Sequence, residues 1–189
     1  MKVFDFDNTI YDGESALDFF LFCLKRKKSL VKHLPSVIYN LVRYKAGYVG
    51  IDKVYAFCDK MMSVFFENRA HAGVLLEEFW EINSKKLTPE LLSLVDEGDA
   101  VISAAPDFLL EGIRDKLKAG TIICSRTEGE HITFLCYGKN KVKAFDEYFG
   151  NTEIDAFYTD SVNDMPMMKK ATRAYLVKGI NIREVHNCD

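Results

Sequence analysis

Each thing this sequence lacks removes a class of protein. Its five cysteines (Cys23, Cys58, Cys124, Cys136 and Cys188) are odd in number, scattered, and never set as Cys-x-x-Cys. That excludes a zinc ribbon and a disulfide framework, and it predicts reduced thiols in a cytoplasmic protein. The histidines share no ligand spacing either. Apolar runs are short: Ala16 to Leu24 ends at the basic stretch Lys25 to Lys28, too soon to span a bilayer. The chain enters an apolar strand at Val3, which predicts that no signal peptide precedes it. A net charge of −3 gives no reason to expect nucleic acid. Internal repeats and low-complexity segments are missing too.

One absence is local. From Phe19 to Ile51 there is no Asp or Glu, while Lys25, Arg26, Lys27, Lys28, Lys32, Arg43 and Lys45 make the segment +7. Two readings stand side by side: the solvated basic face of an amphipathic helical pair, or a surface for an anionic substrate or a membrane. The first is favoured.

What is present suffices for a core. The 189 residues are 48% hydrophobic, enough for one domain with a sizeable insertion or for two small ones. Residues 14 to 86 read as helical almost throughout, with breaks near Pro35, Ala46-Gly47 and Gly50. Thr88-Pro89-Glu90 reads as a helix start and Gly98 as the stop. A strand over Ala100 to Ser103, a helix over Asp107 to Lys118 and a strand over Thr121 to Cys124 follow. A hairpin then turns around Glu128 to Glu130. A helix from Lys141 to Phe149, a strand over Ala156 to Thr159, a short helix over Met165 to Lys170 and a last strand over Ala174 to Val177 complete the pattern. Strands alternating with helices predict a doubly wound, mainly parallel α/β sheet of Rossmann-like type.

Ligands of such sheets sit beyond the carboxyl ends of the strands. The first strand ends in "DFDNT", which puts Asp5 and Asp7 on one side and two Phe rings on the other. Two carboxylates so close repel each other and need a cation between them. The strand "VISAAP" ends in Ser103, and "YTDSVNDMP" brings Asp160, Asn163 and Asp164. Oxygen donors in this number suit Mg²⁺. "CYGKNKVK" supplies Lys139, Lys141 and Lys143 to balance a bound anion.

These four stretches, in this order, resemble the haloacid dehalogenase (HAD) superfamily of phosphohydrolases. "DFDNT" is similar to the Asp-x-Asp-x-Thr motif, "VISAAP" to the strand ending in Ser or Thr, "CYGKNK" to Cys-x-Gly-x-x-Lys, and "YTDSVNDMP" to Asp-Ser-x-x-Asp-x-Pro. The resemblance implies a core of residues 1–13 and 87–189, with a helical cap inserted over 14–86, as in the phosphoserine-phosphatase-like branch. It also implies a Mg²⁺-dependent phosphatase. Asp5 would be the nucleophile, forming an aspartyl-phosphate, and Asp7 the acid and then the base. Thr9 and Ser103 would hold phosphoryl oxygens, and Lys141, selected by the family register, would hold the phosphate and Asp5. The metal would be bound by Asp5, the Asp7 carbonyl and Asp160, with Asn163 and Asp164 supporting it or its waters.

Glu14 falls where phosphoserine phosphatases have an acid facing the substrate, but the arginine they use to grip its carboxylate has no counterpart at the expected cap position. A small phosphorylated metabolite is the expected substrate. A lipid phosphate is the alternative suggested by the basic apolar segment, with membrane contact through 19–51. From a different class, a receiver-like phospho-switch shares the acids, the hydroxyl and the lysine. The sequence does not indicate an oligomeric state.

Overall fold

The computed structural model describes residues 1–26, 31–32, 35–36, 39, 42–43, 69–129 and 131–185. Lys27, Lys28 and Lys45 of the basic segment, and the breaks expected at Ala46-Gly47 and Gly50, lie outside the described residues. None of the described helices is long and apolar enough to cross a membrane.

Seven strands form one sheet: β1 (Lys2–Asp5), β2 (Ala100–Pro106), β3 (Thr121–Glu128), β4 (His131–Phe134), β5 (Ile154–Thr159), β6 (Ala171–Lys178) and β7 (Asn181–Val185), in the order β4-β3-β2-β1-β5-β6-β7. The five strands from β3 to β6 across the sheet run parallel, and only the edge strands β4 and β7 are antiparallel. β1 sits at the centre because both of its faces are apolar. Val3 and Phe4 are fully buried. As the alternation requires, they join different cores.

Phe4 and Phe6 face a cluster with Phe19 and Phe22 of α1 (Ser15–Arg26) and with Phe79 and Trp80 of α2 (Arg69–Asn83). Leu91 of α3 (Pro89–Leu92), Leu109 and Leu110 of α4 (Asp107–Glu111), and Leu117 of α5 (Arg114–Leu117) complete that side. Val3 faces Ile102, Ile123 and Phe157. Over them lie Phe145 of α6 (Lys139–Phe149) and Met167 and Met168 of α7 (Met165–Lys170). Helices on both faces make the sheet doubly wound, with a helical insert between β1 and β2.

Three expectations shift. The single helix over 107–118 is two short ones, broken at Gly112-Ile113. Trp80 lies so close there that a Cβ on Gly112 would come 2.8 Å from its ring. α3 ends at Leu92 instead of running to Gly98, and Thr88 does not cap it with its side chain. The last strand is longer and is followed by β7, which the sequence reading missed. Lys178 pairs with Asn181 across the two-residue loop Gly179-Ile180, and Gly179 has φ +58°. Glycine leading a two-residue hairpin loop is a recognised signal.

Gly120 marks a close approach: its N–H donates to the Glu97 carbonyl at 3.0 Å, and a Cβ would lie 2.2 Å from that oxygen. Gly120→Ala should therefore cost about 1–3 kcal/mol in urea unfolding, as overpacking does. Gly98→Ala, with nothing within 4 Å, should stay within about 0.5 kcal/mol of the parent. Equal effects at the two sites would refute this packing.

Candidate active site

The site grows out of the chain reversal after β1. Asn8 takes φ +56°, a left-handed conformation that Asn tolerates better than most residues, and Gly13 takes φ +140°. The N–H groups of Thr9 and Tyr11 both donate to the Phe6 carbonyl, at 3.2 and 2.9 Å, and that of Asn8 donates to the Gly13 carbonyl at 3.0 Å. This tight loop ends at α1. There the Ser15 N–H donates to Asp7 Oδ1 at 2.7 Å, so Asp7 occupies the positive end of a helix. Asn8 Nδ2 donates to Glu14 Oε1 at 3.0 Å, fixing the half-buried Glu14 beside the loop.

Asp5, buried at the end of β1, accepts a hydrogen bond from Lys141 Nζ at 2.7 Å. The same ammonium donates to Asp164 Oδ2, also at 2.7 Å. Lys141 is itself buried, whereas Lys139 and Lys143 are exposed. Burial works against the charge of Lys141, but Asp5 and Asp164 outweigh it and hold the ammonium above the ordinary lysine range. Burial also raises the Asp5 carboxyl well above its usual range. Lys141 opposes that shift, and Asp164 and Asp7 add to it. Asp7 is pushed up to about 7 by burial, against the pull of Ser15 and with a further push from Glu14. Asp160 rises to about 6, first through burial and then through Glu14 and Asp164. Ser103 is buried at the end of the regular β2 pairing. Its Oγ accepts from the Ala105 N–H at 3.0 Å, which leaves the hydroxyl proton free to donate.

Strand ends and the start of α6, from distant parts of the chain, thus bring a carboxylate pair, a hydroxyl and a lysine to one rim of a doubly wound sheet. A family model for haloacid dehalogenase-like hydrolases matches residues 3–169, nearly the whole chain. The chain belongs to that family. No curated relative matches it. Among solved structures, this HAD hydrolase is similar to a Bordetella pertussis Tohama I protein of unknown function, at 20% identity and a TM-score of 0.77, over 92% of this chain and 87% of that one. A HAD family hydrolase from Salmonella enterica serovar Typhi aligns at 14% identity and 0.64, over 89% of this chain and 59% of its own. A phosphoserine phosphohydrolase-like protein from Francisella tularensis aligns at 19% identity and 0.55, over 92% and 86%. These likenesses carry the fold alone.

Five carboxylates crowd this rim, and neighbouring acids push three of them up: Asp164 and Asp7 act on Asp5, Glu14 acts on Asp7, and Glu14 and Asp164 act on Asp160. Among the described residues, Lys141 is the single buried basic side chain to offset them. A divalent cation fits that imbalance. Among the described residues no three acids, histidines or cysteines close into a protein-only cage.

The surroundings of the other expected residues add detail. Asp164 Oδ2 accepts from Lys141 Nζ at 2.7 Å and also from Thr159 Oγ1 at 2.9 Å. Asn163 is exposed on the short turn Val162–Asp164. Thr9 Oγ1 is buried and has no hydrogen-bond partner. Thr159, fully buried, escaped the sequence reading because a strand-end threonine carries no signal of its own. It also accepts from the Ser161 N–H at 3.1 Å.

Removing one member of a buried ion pair strands the other charge. Lys141→Met should therefore lower stability by about 3–5 kcal/mol in chemical denaturation. Thr159→Val should lower it by about 1–3 kcal/mol, the cost of an unmet buried group. Parent-like unfolding of Lys141→Met would contradict the shared ammonium.

Proposed function

We propose that this HAD hydrolase is a Mg²⁺-dependent phosphomonoesterase that works through an aspartyl-phosphate on Asp5 and acts on a small phosphorylated metabolite. The observation that carries this reading is the buried Lys141 ammonium, bonded to one oxygen of Asp5, Oδ1, at 2.7 Å. A carboxylate meets a phosphate dianion only when cations offset their repulsion. Lys141 is one such cation, and it leaves Oδ2 of Asp5 available to attack phosphorus. Asp5, the Asp7 carbonyl and Asp160 would hold Mg²⁺, which when bound neutralises phosphoryl charge as a Lewis acid.

The roles of the other residues follow from their surroundings. Asp7, raised to about 7, is suited to protonate the leaving oxygen and then to take a proton from the attacking water. Ser103 donates its free hydroxyl proton to a phosphoryl oxygen. Thr9 Oγ1, buried without a partner, gains one in the same phosphoryl group and loses a penalty of about 1–3 kcal/mol. Residues 1–13 and 87–189 form the core in this reading. The insert 14–86 is the cap, which excludes water over the rim. A small substrate is favoured because the lipid-phosphate reading rests on the basic apolar segment 19–51 alone, and charge runs of that kind are more simply solvated faces.

Asp5→Asn should fold and lose turnover of p-nitrophenyl phosphate by orders of magnitude, and near-parental phosphate release would end the proposal. Asp7→Asn should separate the half-reactions. With p-nitrophenyl phosphate, whose leaving group needs little acid help, rapid quench should trap phosphoenzyme. Unchanged steady-state turnover would remove Asp7 from its role. Chelation with EDTA should abolish activity and Mg²⁺ restore it, with Ca²⁺ restoring little because it is larger and more loosely coordinated. Full activity after exhaustive chelation would exclude the metal.

A further inference from the structure

One fully buried hydroxyl outside the four motifs bridges the two segments that carry Ser103 and Lys141. Ser125 lies in β3, and its Oγ donates to the Ala104 carbonyl at 2.7 Å and accepts from the Cys136 N–H at 3.0 Å. Both partners are backbone groups outside the regular ladders. β2 and β3 pair in register up to Ile102↔Ile123 and again at Pro106↔Ser125, with an irregularity between them. β3 and β4 pair from Glu128↔His131 only as far as Arg126↔Phe134, so Cys136 lies beyond the ladder. Bulges of this kind re-aim side chains beside active sites. Here the break falls across Ser103, whose Oγ turns back to the Ala105 N–H.

The middle strand therefore replaces a missing ladder bond on each side with one side chain. On one side it fixes the carbonyl next to Ser103. On the other it fixes the start of the turn that launches α6. That turn is stiff: the Leu135 carbonyl accepts from the Tyr137 N–H at 3.0 Å and from Asn140 Nδ2 at 3.1 Å, and the Lys141 N–H donates to the Gly138 carbonyl at 3.1 Å. A shift at Cys136 is thus passed on to Lys141.

We propose that Ser125 is a positioning residue that sets the spacing between the Ser103 hydroxyl and the Lys141 ammonium, and so the grip on the phosphoryl group. This rests on the reading of Ser103 and Lys141 as the phosphate-holding pair. The role needs a hydroxyl, with a donor and an acceptor on one atom.

The test compares Ser125→Thr, Ser125→Ala and Ser125→Val with the parent on p-nitrophenyl phosphate, together with competitive inhibition by inorganic phosphate and thermal melting. Thr keeps the hydroxyl and should stay close to the parent in kcat. Ala and Val should lose about 10–100-fold in kcat per folded enzyme, the scale of a misplacement near 1 Å. Their inhibition constants for phosphate should rise in step. If Val folds poorly, Ser125→Cys, which keeps the volume with weaker hydrogen bonding, carries the same expectation.

A lower melting temperature in Ala or Val with unchanged kcat and unchanged phosphate inhibition would make Ser125 merely structural and overturn the proposal. So would failure of Thr to preserve kcat while folded. Ser103→Ala and Lys141→Met, assayed alongside, separate the two levels. If they keep full turnover, the phosphate-holding pair is wrong and the Ser125 role falls with it. If they lose turnover while Ser125→Ala does not, only the Ser125 role falls.

Discussion

The Lys141 ammonium is the point on which three distant parts of this chain are tied. It projects from α6 to Asp5 at the end of the first strand and to Asp164 in the turn after β5, at 2.7 Å to each. Neither carboxylate could be buried at this rim without it, since an unpaired buried charge costs several kcal/mol. Nor could the lysine be buried without them. Thr159 supplies Asp164 with a further donor, so the carboxylate accepts from two side chains. One cation cannot offset five acids, however. The geometry that fixes Asp5 leaves the rim electrically incomplete, and a divalent cation and a phosphate can enter together because each offsets the charge of the other.

The second constraint is how the insert leaves and re-enters the core. Tyr11 forms an isolated antiparallel bridge with Leu87, the Asp12 N–H donates to the Lys86 carbonyl at 2.8 Å, and the Thr88 N–H donates to the Ile10 carbonyl at 2.8 Å. The two connecting segments therefore run side by side. Asp18 of α1 locks them further, accepting from Tyr11 Oη at 2.7 Å and from Lys86 Nζ at 2.8 Å. Gly13 is needed beside this lock, since a Cβ there would come 2.9 Å from the Asp18 carboxylate. Beneath it, Phe6, Tyr11, Phe79 and Trp80 meet with rings stacked or edge-on. The aromatic contacts seat the insert, and the same stitched loop carries Asp7. The base of α1 and the candidate acid are parts of one structure.

Much of this was legible in the sequence because strand ends in a parallel sheet are where motifs have physical meaning. The alternation of Val3 and Phe4 gives the central strand two buried faces, and the order of the four motif stretches gives the rim. The choice of Lys141 needed the family register, because Lys139, Lys141 and Lys143 share one composition and differ only in the helix face they occupy. The bond from Lys141 to Asp164 was not legible. Whether a carboxylate serves a metal or a lysine depends on a few ångströms set by tertiary packing. Ser125 and Thr159 were missed for a related reason: a hydroxyl that satisfies backbone groups or a carboxylate beyond the ladder looks in sequence like any polar residue in a strand. β7 was missed although Gly179 marks its turn, because its residues are largely exposed and carry little apolar pattern.

Local irregularity points to the same rim without any motif. A well-satisfied fold has few buried hydroxyls without partners, few non-glycine residues in the left-handed region and few breaks in its ladders. Two non-glycine residues among those described have positive φ. Lys118, at φ +60°, follows the last residue of α5 and is an ordinary helix ending. Asn8 ends no helix; it bends the chain between Asp7 and Thr9. The unpartnered hydroxyl of Thr9 lies in that same loop, and the β2–β3 irregularity falls across Ser103. Strain, unmet polar groups and excess negative charge are each unfavourable alone. Their concentration at one end of the parallel strands, in an otherwise densely apolar molecule, is what a ligand that supplies hydrogen-bond acceptors and positive charge would relieve. A phosphoryl group with its cation is such a ligand, so the physical exceptions and the sequence motifs point to one candidate site by independent routes.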